Sequence, residues 1–234
     1  MSLTVHPLPG IPEISRGDDL SGILLAAIAR AGLEPTPGDV LVVTHKVVSK
    51  AEGAVVPLDG DEELAYRALV LQEAVEVIRR RGDLVIAKTR HGFICANAGV
   101  DRSNAAPGTA VLLPRDPDSS AHGIRMAIEA ATGVDIPVII SDTFGRPWRR
   151  GLTDIAIGIS GMAAVLDLKG TYDAAGRELH VTEVAIADEI AAAADLVMGK
   201  ATAIPAALVR GVEVPVGDGR ATDLVRSPQE DLFR

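Results

Sequence analysis

The chain has 234 residues, a net charge of −9, 47% apolar and only 3% aromatic residues, so it can form one large or two small domains with an aliphatic core. The acidic balance argues against a general nucleic-acid binder, which presents a broad basic surface. A single cysteine, Cys95, excludes a disulfide framework and a cysteine-rich zinc site. There is no signal peptide and no apolar run of the about 18–20 residues that span a bilayer, so we expect a soluble, cytoplasmic protein without a membrane partner.

The chain begins with a predicted helix and strand. Apolar residues in 18–31 recur at helical spacing, with Asp18 and Asp19 at the start and Gly32 just past the end. Residues 39–46 (DVLVVTHK) predict a strand that runs into a polar loop.

The clearest helical pattern covers residues 61–82. Its apolar positions step by four, three, four and three: Leu64, Ala68, Leu71, Val75 and Ile78. We interpret the three arginines at 79–81 as charge that suits the negative end of a helix dipole.

The rest of the chain mixes strands and helices. We predict strands at 83–87, 109–114, 136–141 and 204–211, helices at 119–133 and 182–199, one or two strands in 154–170, and a hairpin turn at 173–176. The elements do not alternate strictly, so the fold class is α+β or irregular α/β rather than a doubly wound sheet. A domain boundary near residue 80 or 120 fits this order, although composition marks none.

Four polar segments follow predicted strands, or lie close to them, and suit phosphate or metal binding. They contain Thr44, His45, Lys46, Ser49, Lys50 and Glu52; Asp101, Arg102, Ser103 and Asn104; Asp142, Thr143, Arg146, Arg149 and Arg150; and Lys200 and Thr202. Asp101 and Asp142 are candidates for a shared hard cation, because Mg²⁺ and Mn²⁺ prefer carboxylate and hydroxyl oxygen. Such an ion would bridge phosphates, while lysines and arginines balance the remaining charge.

Each segment also has a structural interpretation. Asp101 could close an Asx turn, and Lys50 could be a solvated surface charge. The segment around Lys200 is no Walker motif, because Ala194 stands at the first glycine position and Ala201 at the Ser/Thr position. Taken alone, the residues predict metal-dependent phosphate chemistry and no more.

Five segments in chain order resemble the coenzyme F420:L-glutamate ligase family, also called F420-0:gamma-glutamyl ligases: residues 8–14, 39–53, 97–104, 141–158 and 181–211. The resemblance covers nearly the whole chain. It implies a GTP-dependent ligase that adds L-glutamate to the side chain of the deazaflavin coenzyme F420-0 through an acyl phosphate, releasing GDP and phosphate. It also implies Mg²⁺ or Mn²⁺ as two ions, K⁺ as a further ion, and an α+β chain whose ligase domain spans 1–234 as two structural subdomains, in an intertwined homodimer.

The resemblance also assigns residues. It implies nucleotide contacts from Ile11, Pro12, Glu13, Ile14, His45, Lys50, Asn104, Gly199 and Lys200. Asp101 and Asp142 would hold one metal ion and Thr143 a second, and the catalytic set would be Asp101, Asp142, Arg146 and Arg149, with the arginines meeting the anionic coenzyme or glutamate. His45 stands where serine is frequent. Lys200 stands where some relatives have an acidic or amide residue, so it is left outside the metal set.

Two other functions remain open at this stage. One is a metal-dependent phosphohydrolase or phosphotransferase, although no activated nucleophile favours it; the other is a non-enzymatic nucleotide- or deazaflavin-binding module. The last residues, 217–234, resemble the junction at which some actinobacterial relatives continue into a nitroreductase-like flavin domain.

Overall fold

The computed structural model describes residues 2–233 as a mixed α+β fold, as the order of predicted elements indicated. In chain order the elements are β1 (Thr4–Pro7), α1 (Leu20–Arg30), β2 (Val40–Thr44), α2 (His45–Glu52), β3 (Val55–Pro57), α3 (Glu62–Glu73), β4 (Ala74–Arg81), β5 (Leu84–Thr89), β6 (Ile94–Ala96), β7 (Thr109–Val111), α4 (Pro117–Thr132), β8 (Val138–Gly145), β9 (Leu152–Ser160), β10 (Leu166–Asp167), β11 (Glu183–Val184), α5 (Ile186–Met198) and β12 (Ala206–Arg210). Short 3₁₀ helices lie at Asn97–Gly99 and Ala221–Leu224. Within residues 2–233, no helix combines the length and apolar character needed to cross a bilayer.

A five-stranded sheet in the order β1-β12-β2-β8-β9 forms the centre of the fold. Only the β2–β8 pair is parallel. Helices α4 and α5 pack on this sheet, and α1 packs on α4. The contact between α4 and β9 requires Gly158, because a Cβ there would lie 2.4 Å from the Pro117 carbonyl oxygen. The core around the sheet consists mainly of Ala, Val, Ile and Leu, as the composition predicted.

A buried ion pair joins the start of β2 to β12. Asp39 has no exposed surface, and each of its carboxylate oxygens accepts a 2.7 Å hydrogen bond from the Arg210 guanidinium. Burial alone would raise the pKa of Asp39, but the bonds from Arg210 and Thr36 outweigh it and hold the pKa below its usual value.

A smaller part of the chain has its own apolar cluster. It contains the β4-β5-β6 sheet, the β3–β7 pair and α3, and its buried residues are Leu58, Leu69, Val70, Val85, Ala87, Ala98, Val100 and Ala110. This cluster is separate from the cluster around the central sheet. The two-subdomain organisation and the homodimer stay predictions.

The helix predicted for residues 61–82 is wrong in its second half. The helix ends at Glu73, and β4 begins at Ala74 and pairs with β5 through a turn at Gly82. Val75, Val77 and Ile78 are β-branched and favour an extended backbone. The arginines at 79–81 are therefore strand residues and do not end a helix.

Two polar segments predicted as loops are regular elements. The polar stretch after β2 is helix α2, whose Val47 and Val48 are buried and whose end is capped by Gly53 at φ +79°. The strand predicted for 136–141 continues to Gly145, so Asp142 and Thr143 belong to β8. Strands β1, β3, β4, β6 and β11 were not predicted.

The remaining predictions agree with the structure. The helices in 18–31 and 119–133 are confirmed as α1 and α4, and the strand in 204–211 as β12. The helix in 182–199 is confirmed as α5 from Ile186 onward, but its predicted first turn is wrong, because Glu183–Val184 form β11. The turn at 173–176 is confirmed, since Gly176 donates its backbone hydrogen to Asp173 and Tyr172 bridges to Glu178.

Candidate functional site

A cavity of about 300 Å³ lies where β2 ends and α2 begins, between the 11–14 segment and the end of α5. We call it the lysine cavity, after Lys46, Lys50 and Lys200 in its wall. The other lining residues are Ile11, Pro12, Glu13, Ile14, Thr44, Val47, Asn104, Thr143, Asp154, Asp195, Met198, Gly199, Ala201, Ala203, Ile204 and Pro205. Every residue for which a nucleotide contact was predicted lines this cavity, except His45.

The ammonium groups of the three lysines contact carboxylates or hydroxyls. Lys46 Nζ lies 2.7 Å from Asp101 Oδ2, and Lys50 Nζ forms an ion pair with Glu13. Lys46 and Lys50 are four residues apart on α2 and so project from one helix face. Lys50 is only 9% exposed, so its interpretation as a solvated surface charge is wrong. Ammonium groups converging on one cavity suit a polyphosphate, which can take over from the carboxylate partners.

Asp101 is held ionised in a tight turn. Its carboxylate accepts hydrogen bonds from the Ser103 backbone at 2.6 Å and the Ser103 hydroxyl at 2.9 Å, so the Asx-turn interpretation is confirmed. Burial alone would raise the pKa of Asp101, but the Lys46 ammonium and the Ser103 bonds outweigh it and lower the pKa. The turn and a ligand role are compatible, because a carboxylate offers about four lone-pair sites.

Asp142 lies beside the first residue of α2. The backbone N–H of Thr143 donates a 2.7 Å hydrogen bond to Asp142 Oδ1. His45 Nε2 is 3.3 Å from the same oxygen but is not aligned for a hydrogen bond. His45 itself is fully buried and does not reach the lysine cavity. Because His45 and Lys46 are consecutive, the two carboxylates predicted to share an ion both contact the first turn of α2.

The carboxylate oxygens of Asp101 and Asp142, beside the first turn of α2, suit a hard divalent cation. Within residues 2–233, no group of three or more His, Cys, Asp or Glu side chains could form a metal cage. Magnesium is usually held by one or two carboxylates together with waters and substrate phosphates, which is the number of ligands that Asp101 and Asp142 would supply. The donor chemistry is therefore compatible with an ion that binds together with a nucleotide.

The predicted ligand of a second ion is differently placed. Thr143 pairs with Asp154 across the β8–β9 ladder, while Asp142 pairs with Ile155, so Asp142 and Thr143 point to opposite faces of the hairpin. The Thr143 hydroxyl already donates to Asp154 and lies against the Lys200 ammonium. A fixed positive charge thus lies beside the oxygen predicted to bind a second ion, and the second ion stays a prediction.

Sequence reasoning missed Asp154. This β9 carboxylate is only 4% exposed, lines the lysine cavity, and accepts hydrogen bonds from the hydroxyls of Ser141, at 2.8 Å, and Thr143. Lys200 Nζ is 3.9 Å from it. The available signal was an ionisable residue inside an otherwise apolar strand pattern, since carboxylates are almost never buried without partners.

Asp195 adds a second carboxylate on the α5 side of the cavity. Burial raises the pKa of Asp195, and the negative charge of Asp154 raises it further. Asp154 and Asp195 thus both lie on the α5 side of the cavity together with the Lys200 ammonium.

Two residues of the cavity wall have unusual backbone conformations. Asn104 and Ala203 both have φ +55°, in the left-handed region. Asparagine tolerates this region, but alanine pays a steric cost, and such residues cluster at ligand sites.

The predicted catalytic arginines lie outside the lysine cavity. Arg146 and Arg149 are exposed on the turn that connects β8 to β9. Between them, Pro147 and Trp148 line a different cavity. The structure thus brings together Thr143 and the predicted nucleotide residues other than His45, but it does not bring the arginines to them.

The chain is similar to known proteins over the whole region that contains this site. The family model described as F420-0:Gamma-glutamyl ligase matches residues 10–211, which contain every candidate residue above. The chain is 40% identical over 253 residues to the coenzyme F420:L-glutamate ligase of Methanothermobacter thermautotrophicus, with 100% of both chains covered. It is 42% identical to that of Methanopyrus kandleri, covering 100% of this chain and 98% of the relative, and 45% identical to that of Methanocaldococcus jannaschii, covering 96% and 94%.

Proposed function

Because the chain belongs to the F420-0:Gamma-glutamyl ligase family, we propose that it joins L-glutamate to the side-chain carboxylate of coenzyme F420-0 at the expense of GTP. The family and the printed names of the relatives support the ligase activity. The observation that supports nucleotide use is the lysine cavity, where Lys46, Lys50 and Lys200 converge. Two predicted metal ligands lie beside these lysines: Asp101, which contacts Lys46, and Thr143 in the cavity wall.

In this proposal the lysines bind the phosphates. Lys50 would exchange Glu13, and Lys46 would exchange Asp101, for phosphate oxygens of GTP. Each exchange keeps a charge-assisted hydrogen bond on the ammonium, so the lysine is never left buried and unpaired. The carboxylate that Lys46 releases then becomes available for a cation.

The main obstacle to the reaction is repulsion between a carboxylate and a triphosphate. Asp101 and Asp142 would hold a Mg²⁺ or Mn²⁺ ion, which when bound supplies positive charge at the phosphates. Lys200, fixed by Thr143 and Asp154, presents a further positive charge in the cavity wall. These charges are in place before the reaction, so they lower the barrier without reorganisation.

The reaction has two steps. An oxygen of the F420-0 carboxylate bonds to the γ-phosphorus as the bond to the bridging oxygen breaks, giving an acyl phosphate and GDP. The amine of L-glutamate then attacks the acyl carbon, the carbon–oxygen bond to phosphate breaks, and inorganic phosphate leaves. The amine loses its protons to water, so no side chain is assigned as a general base.

Mass spectrometry of the coenzyme tests this function. Incubation of the protein with F420-0, GTP, Mn²⁺ and L-glutamate should add one glutamyl residue per GDP formed, and omission of any component should abolish the product. Lys50→Ala should lose most product, while Lys169→Ala, at an exposed lysine that does not line the cavity, should keep it. Phosphate release that requires neither F420-0 nor glutamate would instead identify a phosphohydrolase.

Three finer features belong to the same proposal. We propose a homodimer, a dependence on K⁺, and a nitroreductase-like domain following the ligase domain in the native protein. Light scattering in solution tests the first, replacement of K⁺ by Na⁺ in the assay tests the second, and the gene's reading frame beyond residue 234 tests the third.

A further inference from the structure

A second and larger cavity collects most of the aromatic residues of the chain. Its volume is about 690 Å³, within the range of about 300–1,000 Å³ that ligand pockets occupy. The chain has three phenylalanines, one tryptophan and two tyrosines. All three phenylalanines and the tryptophan line this one cavity, as Phe93, Phe144, Phe233 and Trp148. We call it the aromatic cavity.

The four rings form two pairs at different depths. Phe93 and Phe144 are buried and meet edge to face, with ring centroids 6.4 Å apart. Trp148 and Phe233 are exposed, with centroids 5.9 Å apart. Isoleucine side chains complete the wall, at positions 78, 86, 94 and 155. An apolar space with rings at its floor and at its mouth suits a flat aromatic ligand.

Trp148 combines high solvent exposure with a strained backbone, which is unusual for a residue without a function. It is 86% exposed, so it gains little from burial, and its φ is +59°, a region that bulky residues rarely adopt. Backbone strain of this kind is found at ligand sites. The strained turn presents the indole at the mouth of the cavity.

The charges around the mouth favour a ligand with an anionic tail. Arg79 and Arg226 line the aromatic cavity, and Arg226 lies 5.8 Å from the Phe233 ring centroid. Arg146 and Arg149 flank Trp148 on the adjoining turn. Asp188 and Asp231 also line the cavity and balance the charges of Arg79 and Arg226, so the excess positive charge comes from the adjoining turn.

One hairpin separates the two cavities. Thr143 and Asp154 form a cross-strand pair that faces the lysine cavity, whereas the next positions along each strand, Phe144 and Ile155, face the aromatic cavity. Strand β9 is the edge of the central sheet, so nothing in the sheet blocks the path around it. A ligand held by its ring in the aromatic cavity can pass a tail over the arginine turn toward the lysine cavity.

We propose that the aromatic cavity binds the tricyclic deazaflavin ring of the acceptor substrate, and that the 146–150 turn carries its anionic side chain to the lysine cavity. This inference rests on the proposed function for the identity of the ligand. It gives Arg146 and Arg149 a role outside the nucleotide site: they are specificity determinants for the acceptor.

Fluorescence anisotropy of F420-0, titrated with protein in the absence of GTP and metal, tests the inference. Trp148→Ala should weaken F420-0 binding by about fivefold to tenfold, because one aromatic contact is lost, and Trp148→Phe should restore most of it. Tyr172→Ala, an exposed aromatic residue outside the cavity, should change nothing. The affinity for GDP, measured by calorimetry, should be equal in all four proteins.

The outcomes separate this inference from the proposed function. If the wild-type protein makes no glutamylated product but binds F420-0 with an affinity that depends on Trp148, the ligase proposal fails and the assignment of the cavity stands. If the protein ligates normally and Trp148→Ala binds F420-0 like wild type, the assignment is wrong. A Trp148→Ala variant that changes only the oligomeric state would show that a second copy of the chain covers the cavity, and would also overturn it.

Discussion

The Thr143 hydroxyl donates its hydrogen to the buried carboxylate of Asp154, and the Lys200 ammonium lies against the same hydroxyl. Three side chains from β8, β9 and the end of α5 are thus fixed as one unit in the wall of the lysine cavity. Asp154 needs no contact with a substrate to matter, because it sets the positions of a hydroxyl and an ammonium that face the substrate.

Asp154 is therefore expected to act as a positioning residue. Asp154→Asn keeps the size of the side chain but removes the charge that orients Thr143 and Lys200. Hydrogen bonds to charged groups contribute about 1.5–3 kcal/mol, so kcat/KM for GTP should fall about 10- to 100-fold. Ser141→Ala is the matched control: it removes the other donor to Asp154 and should cost about 1 kcal/mol of stability with little change in KM. Equal kinetic losses in both variants would assign Asp154 to the structure alone.

Lys200 is expected to reduce the need for a second metal ion. In Lys200→Gln, an amide oxygen replaces the ammonium beside Thr143 and Asp154. Activity should fall about tenfold or more at low Mn²⁺ and recover at high Mn²⁺, with a steeper metal dependence than wild type, as expected when an ion replaces a fixed charge. A loss of the same size at every Mn²⁺ concentration would contradict this role.

Asp101 and Asp142 are expected to behave as a unit. Loss of a residue that only orients a metal ligand lowers metal affinity or activity by about 10- to 100-fold. Because Asp101 and Asp142 would bind the metal directly, Asp101→Asn or Asp142→Asn should each lower the rate of ligation at least about 100-fold. The double variant should be scarcely worse than the poorer single variant, because one ion is lost in every case. High Mn²⁺ should partly rescue the single variants. Additive logarithmic losses with unchanged metal dependence would show that the two carboxylates do not share an ion.

A preference for guanine over adenine is expected from the family resemblance. A single base-specific hydrogen bond to a charged group is worth about 1.5–3 kcal/mol, so GTP should exceed ATP in kcat/KM by about tenfold or more. The measurement is the rate of glutamate addition with each nucleotide well below saturation. Equal rates would count against the preference without affecting the ligase activity.

The Asp39–Arg210 ion pair is expected to make the stability of the protein depend on pH. Because the folded state lowers the pKa of Asp39, the pair stabilises the protein above the ordinary pKa of the carboxyl group and loses this effect as the pH falls through the lowered value. In urea unfolding at pH 7, Asp39→Asn should therefore have a free energy of unfolding about 2–3 kcal/mol below that of wild type. The buried carboxylate is lost, and the effect is limited because Arg210 is partly exposed. At pH 3 the difference should shrink. A difference that is constant between pH 3 and pH 7 would exclude this origin.

The sequence predicted most of the fold where local pattern and tertiary context agree. Helices α1, α4 and α5 have apolar stripes that the central sheet buries, so periodicity located them. In 61–82 the same periodicity continued past Glu73, but pairing with β5 decides the structure there, and Val75 and Val77 are exposed on β4 rather than buried on a helix. Periodicity cannot report a strand partner that comes later in the chain.

The candidate site was predictable in part for a similar reason. Lys50, Asn104 and Lys200 could be found because each lies in a polar segment at the end of an element, where ligands commonly bind. Asp154 was harder to identify: its place in an apolar strand pattern marks it as unusual, but its role depends on Ser141 and Thr143, which come from the preceding strand. A bulge between Ile140 and Ser141 shifts the register and determines which residues of β8 and β9 share a face.

The position of β12 has a consequence for biosynthesis. Because β12 lies between β1 and β2, the amino-terminal strand has no partner in the sheet until residues 206–210 have left the ribosome. A nascent chain cannot complete its central sheet one strand at a time, and β2, which is apolar up to Thr44, must wait for β8 and β12 to cover its two edges. Nascent chains that stall before β12 should therefore be recognised by chaperones that bind exposed apolar strands.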